Sequence, residues 1–267
     1  DADGDSLTYS ISGSEININS SSGVLTFASA PDYETKSSYS ATVSVSDGTN
    51  TSTQNVTVDI NNLNDNTPNI SSSSSFSIDE NETAIGTVTA TDADGDSLTY
   101  SISGSEININ SSTGVMTFAS APDYETKSSY SATVSVSDGG NSVNQNITVN
   151  INNLNDNAPS FTSNATFTAD ENQTNIGTVT ATDGDDDSLT YSISGSDINI
   201  NASSGVLTFA SAPDYETKSS YTAIVTVSDS GNSIDQNIVV FINNLNDNAP
   251  TFTSSATFTA DENQTAI

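Results

Sequence analysis

Between residues 69 and 159, apolar and polar side chains alternate in short stretches. Leu98, Tyr100 and Ile102 are separated by Thr99 and Ser101. Tyr130, Ala132, Val134 and Val136 are separated by serines and a threonine, and Ile147, Val149 and Ile151 by Thr148 and Asn150. A period of two places one face on a core and the other in water, which is the signature of a half-buried strand. Shorter candidates are Phe76–Ile78, Ala84–Thr91, Ile107–Ile109 and Val115–Phe118, and the runs 112–114 and 138–140 punctuate them as turns. No stretch of useful length has a 3.6-residue period. Seven strands in about ninety residues with regular turns predict an all-β sandwich.

The pattern recurs. Asp92-Ala-Asp-Gly-Asp-Ser-Leu-Thr-Tyr100 copies Asp1 to Tyr9, an offset of 91 residues, and a variant of it spans Asp183 to Tyr191. Pro31-Asp-Tyr-Glu-Thr-Lys36 recurs at Pro122 and Pro213, and Asn61-Asn-Leu-Asn-Asp-Asn66 recurs at Asn152 and Asn243. Self-similarity at a fixed period is the mark of an array, and strand alternation kept in register in every copy argues against Ser/Asn-rich disorder. The expected organisation is a partial repeat at 1–68, whole repeats at 69–159 and 160–250, and the start of another at 251–267. The chain therefore reads as a fragment of a longer array.

Composition narrows the chemistry. The 267 residues include 34 acidic against 3 basic, a formal net charge of −31, with no histidine, cysteine or tryptophan. Such a charge repels nucleic acid and anionic lipid. No apolar run is long enough to span a membrane. Without cysteine there is neither a disulfide framework nor a thiol metal site. The common general base and the thiol nucleophile are missing, and no nucleophile elbow or phosphate loop occurs, so catalysis is not expected. The three lysines, Lys36, Lys127 and Lys218, occupy one position of the repeat and are expected to neutralise nearby acid.

Nearly all the acids of the second repeat lie outside the strands. Asp79 and Glu80 follow the first; Asp92, Asp94 and Asp96 follow the second; Asp123 and Glu125 follow Pro122; Asp138 ends the sixth; Asp156 lies in the exit segment 153–159. Calcium takes six to eight oxygens from carboxylates, amides and carbonyls, and loops at the ends of a sandwich can supply them. Asp92-Ala-Asp-Gly-Asp96 also resembles the opening of an EF-hand loop. That loop needs glycine at its sixth position and glutamate at its twelfth, where Ser97 and Ser103 stand, so it is rejected. Turn formation is the alternative role for these aspartates, and it suits Asp96.

Taken together, these motifs resemble the cadherin family, over the whole chain and in family order. The early glutamate of a cadherin repeat matches Glu80, Glu171 and Glu262. Asp-x-Glu matches Asp32/Glu34, Asp123/Glu125 and Asp214/Glu216, and Asp-x-Asp matches Asp1/Asp3, Asp92/Asp94 and Asp183/Asp185. The late Ala-x-Asp-x-Gly is similar to the runs containing Asp47, Asp138 and Asp229, with Val45, Val136 and Val227 for the alanine. The linker Asp-x-Asn-Asp-Asn-x-Pro is similar to the segments with Asn64, Asp65 and Asn66, with Asn155, Asp156 and Asn157, and with Asn246, Asp247 and Asn248. Asn62, Asn153 and Asn244 stand where the family usually has aspartate, which keeps an oxygen but removes a charge.

The resemblance implies tandem seven-stranded Greek-key, Ig-like sandwiches in a linear rod, with two to three Ca2+ ions pooled at each junction. The complete junction would take Glu80, Asp123, Glu125, Asn155, Asp156, Asp183, Asp185 and Asp229, with carbonyls such as that of Asn157. The middle ion should be the weaker one. The implied role is a calcium-stiffened extracellular stalk of a large bacterial or archaeal cell-surface adhesin or appendage. The alternative is that the repeats themselves bind other copies or cell-surface glycans. Ile224, Val239 and Phe241 are candidate partner contacts, since the same outward positions hold Thr133, Thr148 and Asn150 in the second repeat and Thr42, Thr57 and Asp59 in the first. Several Asn-x-Ser/Thr sequons, including those at Asn55, Asn81 and Asn146, leave glycosylation open.

Overall fold

A computed structural model describes residues 2–266; the candidate ligand Asp1 lies outside the described residues. Every regular element among them is a strand. The chain divides into two compact units, Asp1–Asn153 and Leu154–Ile267.

The second repeat lies in the first unit and shows the architecture in full. One sheet has the order Thr99–Ile102, Ser129–Ser137, Ser142–Asn152, Ser75–Asp79. Its last pair is parallel, with Val149 opposite Phe76 and Ile151 opposite Ile78. The facing sheet has the order Ile107–Ile109, Val115–Phe118, Ala84–Thr87. The core lies between them: Tyr100, Val134, Val136, Ile147, Val149 and Ile151 come from the first sheet, and Ile85, Val88, Ile107, Met116 and Phe118 from the other. These are the positions that alternation marks as inward.

The seven strands are present, but two of them are broken. The first consists of Asn69–Ile70 and Ser75–Asp79, and the second of Ala84–Thr87 and Ala90–Thr91. Asn69–Ile70 pairs with Ala90–Thr91, while the other halves join the two main sheets. Alternation cannot reveal such a switch, because both halves keep one face inward. The polar run 71–74 makes the first break, where Ser73 Oγ accepts from Ser75 N at 3.0 Å. The second follows a register shift between Met116 and Thr117, beside Gly86 at φ 145°, a β-bulge of the kind that bends a strand toward another sheet.

The third repeat, in the second unit, repeats the plan. Thr166–Asp170, Ser233–Asn243, Ser220–Ser228 and Thr190–Ile193 form one sheet, and Asn175–Thr178, Val206–Phe209 and Ile198–Ile200 the other. Its core centres on Val179, Leu207, Val225, Val227, Ile238 and Val240. On the outer face of its larger sheet Ile224 is 41% exposed and Phe241 50%, with Val239 half-buried between Thr222 and Thr166.

The first repeat is more open. Its strands are Thr8–Ile11, Ser38–Ser46 and Thr51–Asp59 in one sheet, and Ile16–Ile18 with Leu25–Phe27 in the other. Among the described residues no strand corresponding to Ala84–Thr87 lies on Leu25–Phe27, and Ile16, Leu25, Phe27 and Val58 line an apolar hollow. Residues 251–266 carry no strand, and Glu262 is exposed.

The three lysines pair as expected: Lys36 with Glu15 and Lys127 with Glu106, each at 2.6 Å, and Lys218 with Asp197 at 2.7 Å. Each also lies over a tyrosine ring, Tyr39, Tyr130 and Tyr221. These pairs are solvent-exposed, so their contribution to stability is small.

Candidate metal centre

The antiparallel ladder fixes where the acids of a repeat can gather. Ser129 is opposite Asn150 at one end of the long hairpin, and Ser137 is opposite Ser142 at the other. At about 3.4 Å per residue, nine residues span about 27 Å between their first and last Cα atoms. Asp138 follows Ser137. Asp123 and Glu125 precede Ser129, and Glu80 N donates to Asn152 O at 3.2 Å. The acids of one repeat thus fall into a leading set and a trailing set at opposite ends of the sandwich.

The leading set of the second repeat is organised around the linker before it. Asp94 Oδ2 accepts from Asp65 N at 3.1 Å and Asn66 N at 2.8 Å, and Asp94 Oδ1 accepts from Asn66 Nδ2 at 2.8 Å. The Asn66 side chain foremost, with these backbone amides, holds the Asp94 carboxyl below its ordinary value against the opposing effect of burial. Asn62 donates from Nδ2 to the Asp94 carbonyl at 2.8 Å. An aspartate could not make that bond. Asn64 Nδ2 donates to the Asp138 carbonyl at 3.3 Å, and Asn141 Nδ2 donates to Asn64 Oδ1 at 2.9 Å and to Asn66 O at 3.1 Å.

On this frame one carboxylate oxygen each from Glu34, Asp65 and Asp94 lies within 4.8 Å of the others. They come from the first repeat, the linker and the second repeat. Burial first, and then the neighbouring Asp32 and Asp94, raise the Glu34 carboxyl above its ordinary value. Asp92, Asp94 and Asp96 form a second trio of the same tightness, so Asp96 shares the cluster as well as the turn.

The second unit has the same leading frame. Asp156 N and Asn157 N donate to Asp185 Oδ2 at 3.0 and 2.8 Å, Asn155 Nδ2 reaches the Asp229 carbonyl at 3.1 Å, and Asn232 Nδ2 reaches Asn155 Oδ1 at 2.9 Å. Asp183, Asp185 and Asp187 form its trio. Its trailing end gathers Glu171, Glu216 and Asp247 within 4.8 Å. Glu171, only 2% exposed, accepts from Tyr215 N at 2.8 Å and Leu245 N at 2.7 Å. Glu80 is 1% exposed and accepts from Tyr124 N at 2.8 Å.

Not every candidate joins a cluster. Asp32, Asp123 and Asp214 belong to no trio among the described residues. Each spends its oxygens on its own turn: Asp123 accepts from Thr126 N and Oγ1, Asp32 from Thr35, and Asp214 from Thr217. The Thr35 and Thr217 hydroxyls are the leading reason why the Asp32 and Asp214 carboxyls sit low. Asp47 also closes its own turn, accepting from Thr49 N and Asn50 N. Asp3, Asn153 and Asn246 are exposed. Asn248 donates to Asp247 Oδ1 at 2.8 Å. Sequence reasoning missed Asp96, Asp187, Asn141 and Asn232. The alternating Asp-x-Asp-x-Asp was a signal for the first two, whereas nothing in the sequence pairs Asn141 with a linker 77 residues earlier.

The donor set fits a hard cation. Every candidate ligand atom is an oxygen, which suits calcium. Asp92 Oδ2, Asp138 Oδ2, Asp183 Oδ2 and Asp229 Oδ2 are buried without a hydrogen-bond partner. Buried polar atoms are normally satisfied, and the orphaned oxygens of Asp92 and Asp183, which belong to carboxylate clusters, are what an ion would complete. Burial opposes the charge on Asp138 and Asp229, yet both carboxyls stay below their ordinary value because backbone amides of their own turns donate to them.

Tandem β-sandwiches with oxygen clusters at their ends define the class. Residues 74–152 match the cadherin domain model, and the described residues share the tandem β-sandwich fold of cadherin ectodomain structures. Similar solved structures are mouse cadherin-23 EC22-24 (24% identity, TM-score 0.74, covering 90% of this chain and 87% of that one) and protocadherin gammaB7 EC3-6 in a cis-dimer structure (27%, 0.76, 91% and 68%). The protocadherin gammaB4 extracellular domain is also similar (25%, 0.75), and this chain covers 44% of it. No curated protein matches the sequence. No helix is long and apolar enough to cross a membrane among the described residues.

Proposed function

We propose that this chain is a calcium-stiffened segment of an extracellular stalk, with repeats at 1–68, 69–159, 160–250 and from 251 onward. The convergence of Glu34, Asp65 and Asp94 carries this reading. Three carboxylates from two repeats and their linker crowd one point with no lysine among them, and mutual repulsion opens such a point unless cations neutralise it. With ions bound, the same cations hold both repeats. The unpartnered oxygens of Asp92 and Asp138 supply further ligands. By sequence the next junction has the fuller set, adding Glu80 to Asp123, Glu125, Asp156, Asp183, Asp185 and Asp229, for two to three ions. Near-identical repeats suit a spacer on a cell surface, where length is what is needed.

Isothermal calcium titration of the full chain tests this. Calcium should bind with an affinity of about 10⁻⁴–10⁻³ M or tighter, and Asp65→Ala should lower the number of ions bound while the far-ultraviolet circular dichroism stays unchanged. A chain that takes up no calcium at millimolar concentration contradicts the proposal.

A second reading, in which the repeats bind other copies or surface glycans, is favoured only by the exposed Ile224 and Phe241 beside Val239. Exposed apolar clusters mark contact surfaces. Phe241→Asn should then weaken self-association in sedimentation or retention on a glycan array; no change in either contradicts this reading.

A further inference from the structure

We propose that the residue two places after the late aspartate decides whether a linker docks, with Gly140 and Gly231 admitting one and Thr49 refusing it. The consequence for calcium rests on the junction reading above; the steric claim does not.

A Cβ placed on Gly140 would lie 2.9 Å from Asn64 Oδ1 and 3.1 Å from its Cγ. On Gly231 it would lie 2.7 Å from Asn155 Oδ1 and 3.0 Å from its Cγ. In both repeats the obstructed group is the middle asparagine of the linker. That asparagine is bracketed by two bonds: its Nδ2 donates to the carbonyl of the late aspartate, and its Oδ1 accepts from Asn141 or Asn232. An amide at the end of a flexible side chain can swing aside. The cost of a side chain at 140 is therefore the bracket, not the fold.

The first repeat carries Thr49 at this position. The leading end of the first repeat thus presents a β-branched residue where the linker amide would rest. A linker brought to that end would join it without the bracket, making a looser joint that holds calcium more weakly. One position would then set which joints of an array are stiff and which can hinge.

Hydrogen exchange of the full chain, read on peptides covering 62–68, tests this with wild type, Gly140→Thr, Gly140→Ala and Thr49→Gly. Both Gly140 variants should exchange about tenfold faster at the linker amides in calcium-free buffer, the effect of losing a bond worth about one factor of ten. The calcium needed for half-protection should rise by a similar factor, and Thr49→Gly should match wild type. Peptides from 129–152 should keep their protection. Equal linker exchange in wild type and the Gly140 variants overturns the inference, as does a loss of protection spread through the sandwich. If wild-type linker protection ignores calcium, the junction reading fails, and the calcium-free comparison still decides the glycine.

Discussion

Glu34 and Asp94 form a pair whose carboxyls are shifted in opposite directions. Burial and Asp94 raise the Glu34 carboxyl, while Asn66 and the linker amides lower that of Asp94. In chelator, a raised carboxyl weakens the folded joint at neutral pH, and this penalty is relieved as pH falls through the raised Glu34 value. The lowered Asp94 carboxyl contributes stability that is present above its ordinary value near 3.8 and is lost as pH falls through its folded value. The ion-free linker should therefore be best protected between these two values. Glu34→Gln should slow linker exchange in chelator at pH 7 and also weaken calcium binding, and exchange measured in both buffers checks the two signs. An effect of the same sign in both would contradict the pairing. At this scale the motifs singled out acids but not how local hydrogen bonds divide them. In Asp-x-Glu the aspartate is consumed by its own threonine turn and the glutamate faces the cluster. That division depends on local hydrogen bonds that both residue types could make.

Among the elements, alternation carried most of the fold. Every inward position it marks between Val134 and Ile151 is buried. What it could not carry were events on neighbouring strands, such as the two broken strands and the close approach at Gly114. Gly114 has φ 71°, and a Cβ there would meet the Val88 carbonyl well inside van der Waals contact. Its own carbonyl accepts from Val88 N at 2.9 Å. Read from sequence it was only a turn glycine. Gly114→Ala should combine left-handed backbone strain with a backbone clash and cost at least about 2 kcal/mol, lowering the melting temperature of the second repeat by about 10 °C. Thermal unfolding in calcium and in chelator checks this, and a shift of less than a few degrees would contradict it. The loss should persist in chelator, because the core residues around Val88 and Met116 lie between the sheets and the ligands lie at their ends.

For the whole molecule, the 91-residue period made the array and the fold class legible together. That acids of neighbouring repeats would gather, as Glu34, Asp65 and Asp94 do, was expected only through the family resemblance. The linker frame that orders them was hidden because it joins residues 28 to 77 positions apart. The central claim is that cations, not side-chain packing alone, hold successive repeats to one another. Small-angle scattering of the full chain with millimolar calcium and with chelator tests it most directly. Chelation should increase flexibility and change the maximum dimension while the β-structure persists. An unchanged maximum dimension and unchanged flexibility would contradict it.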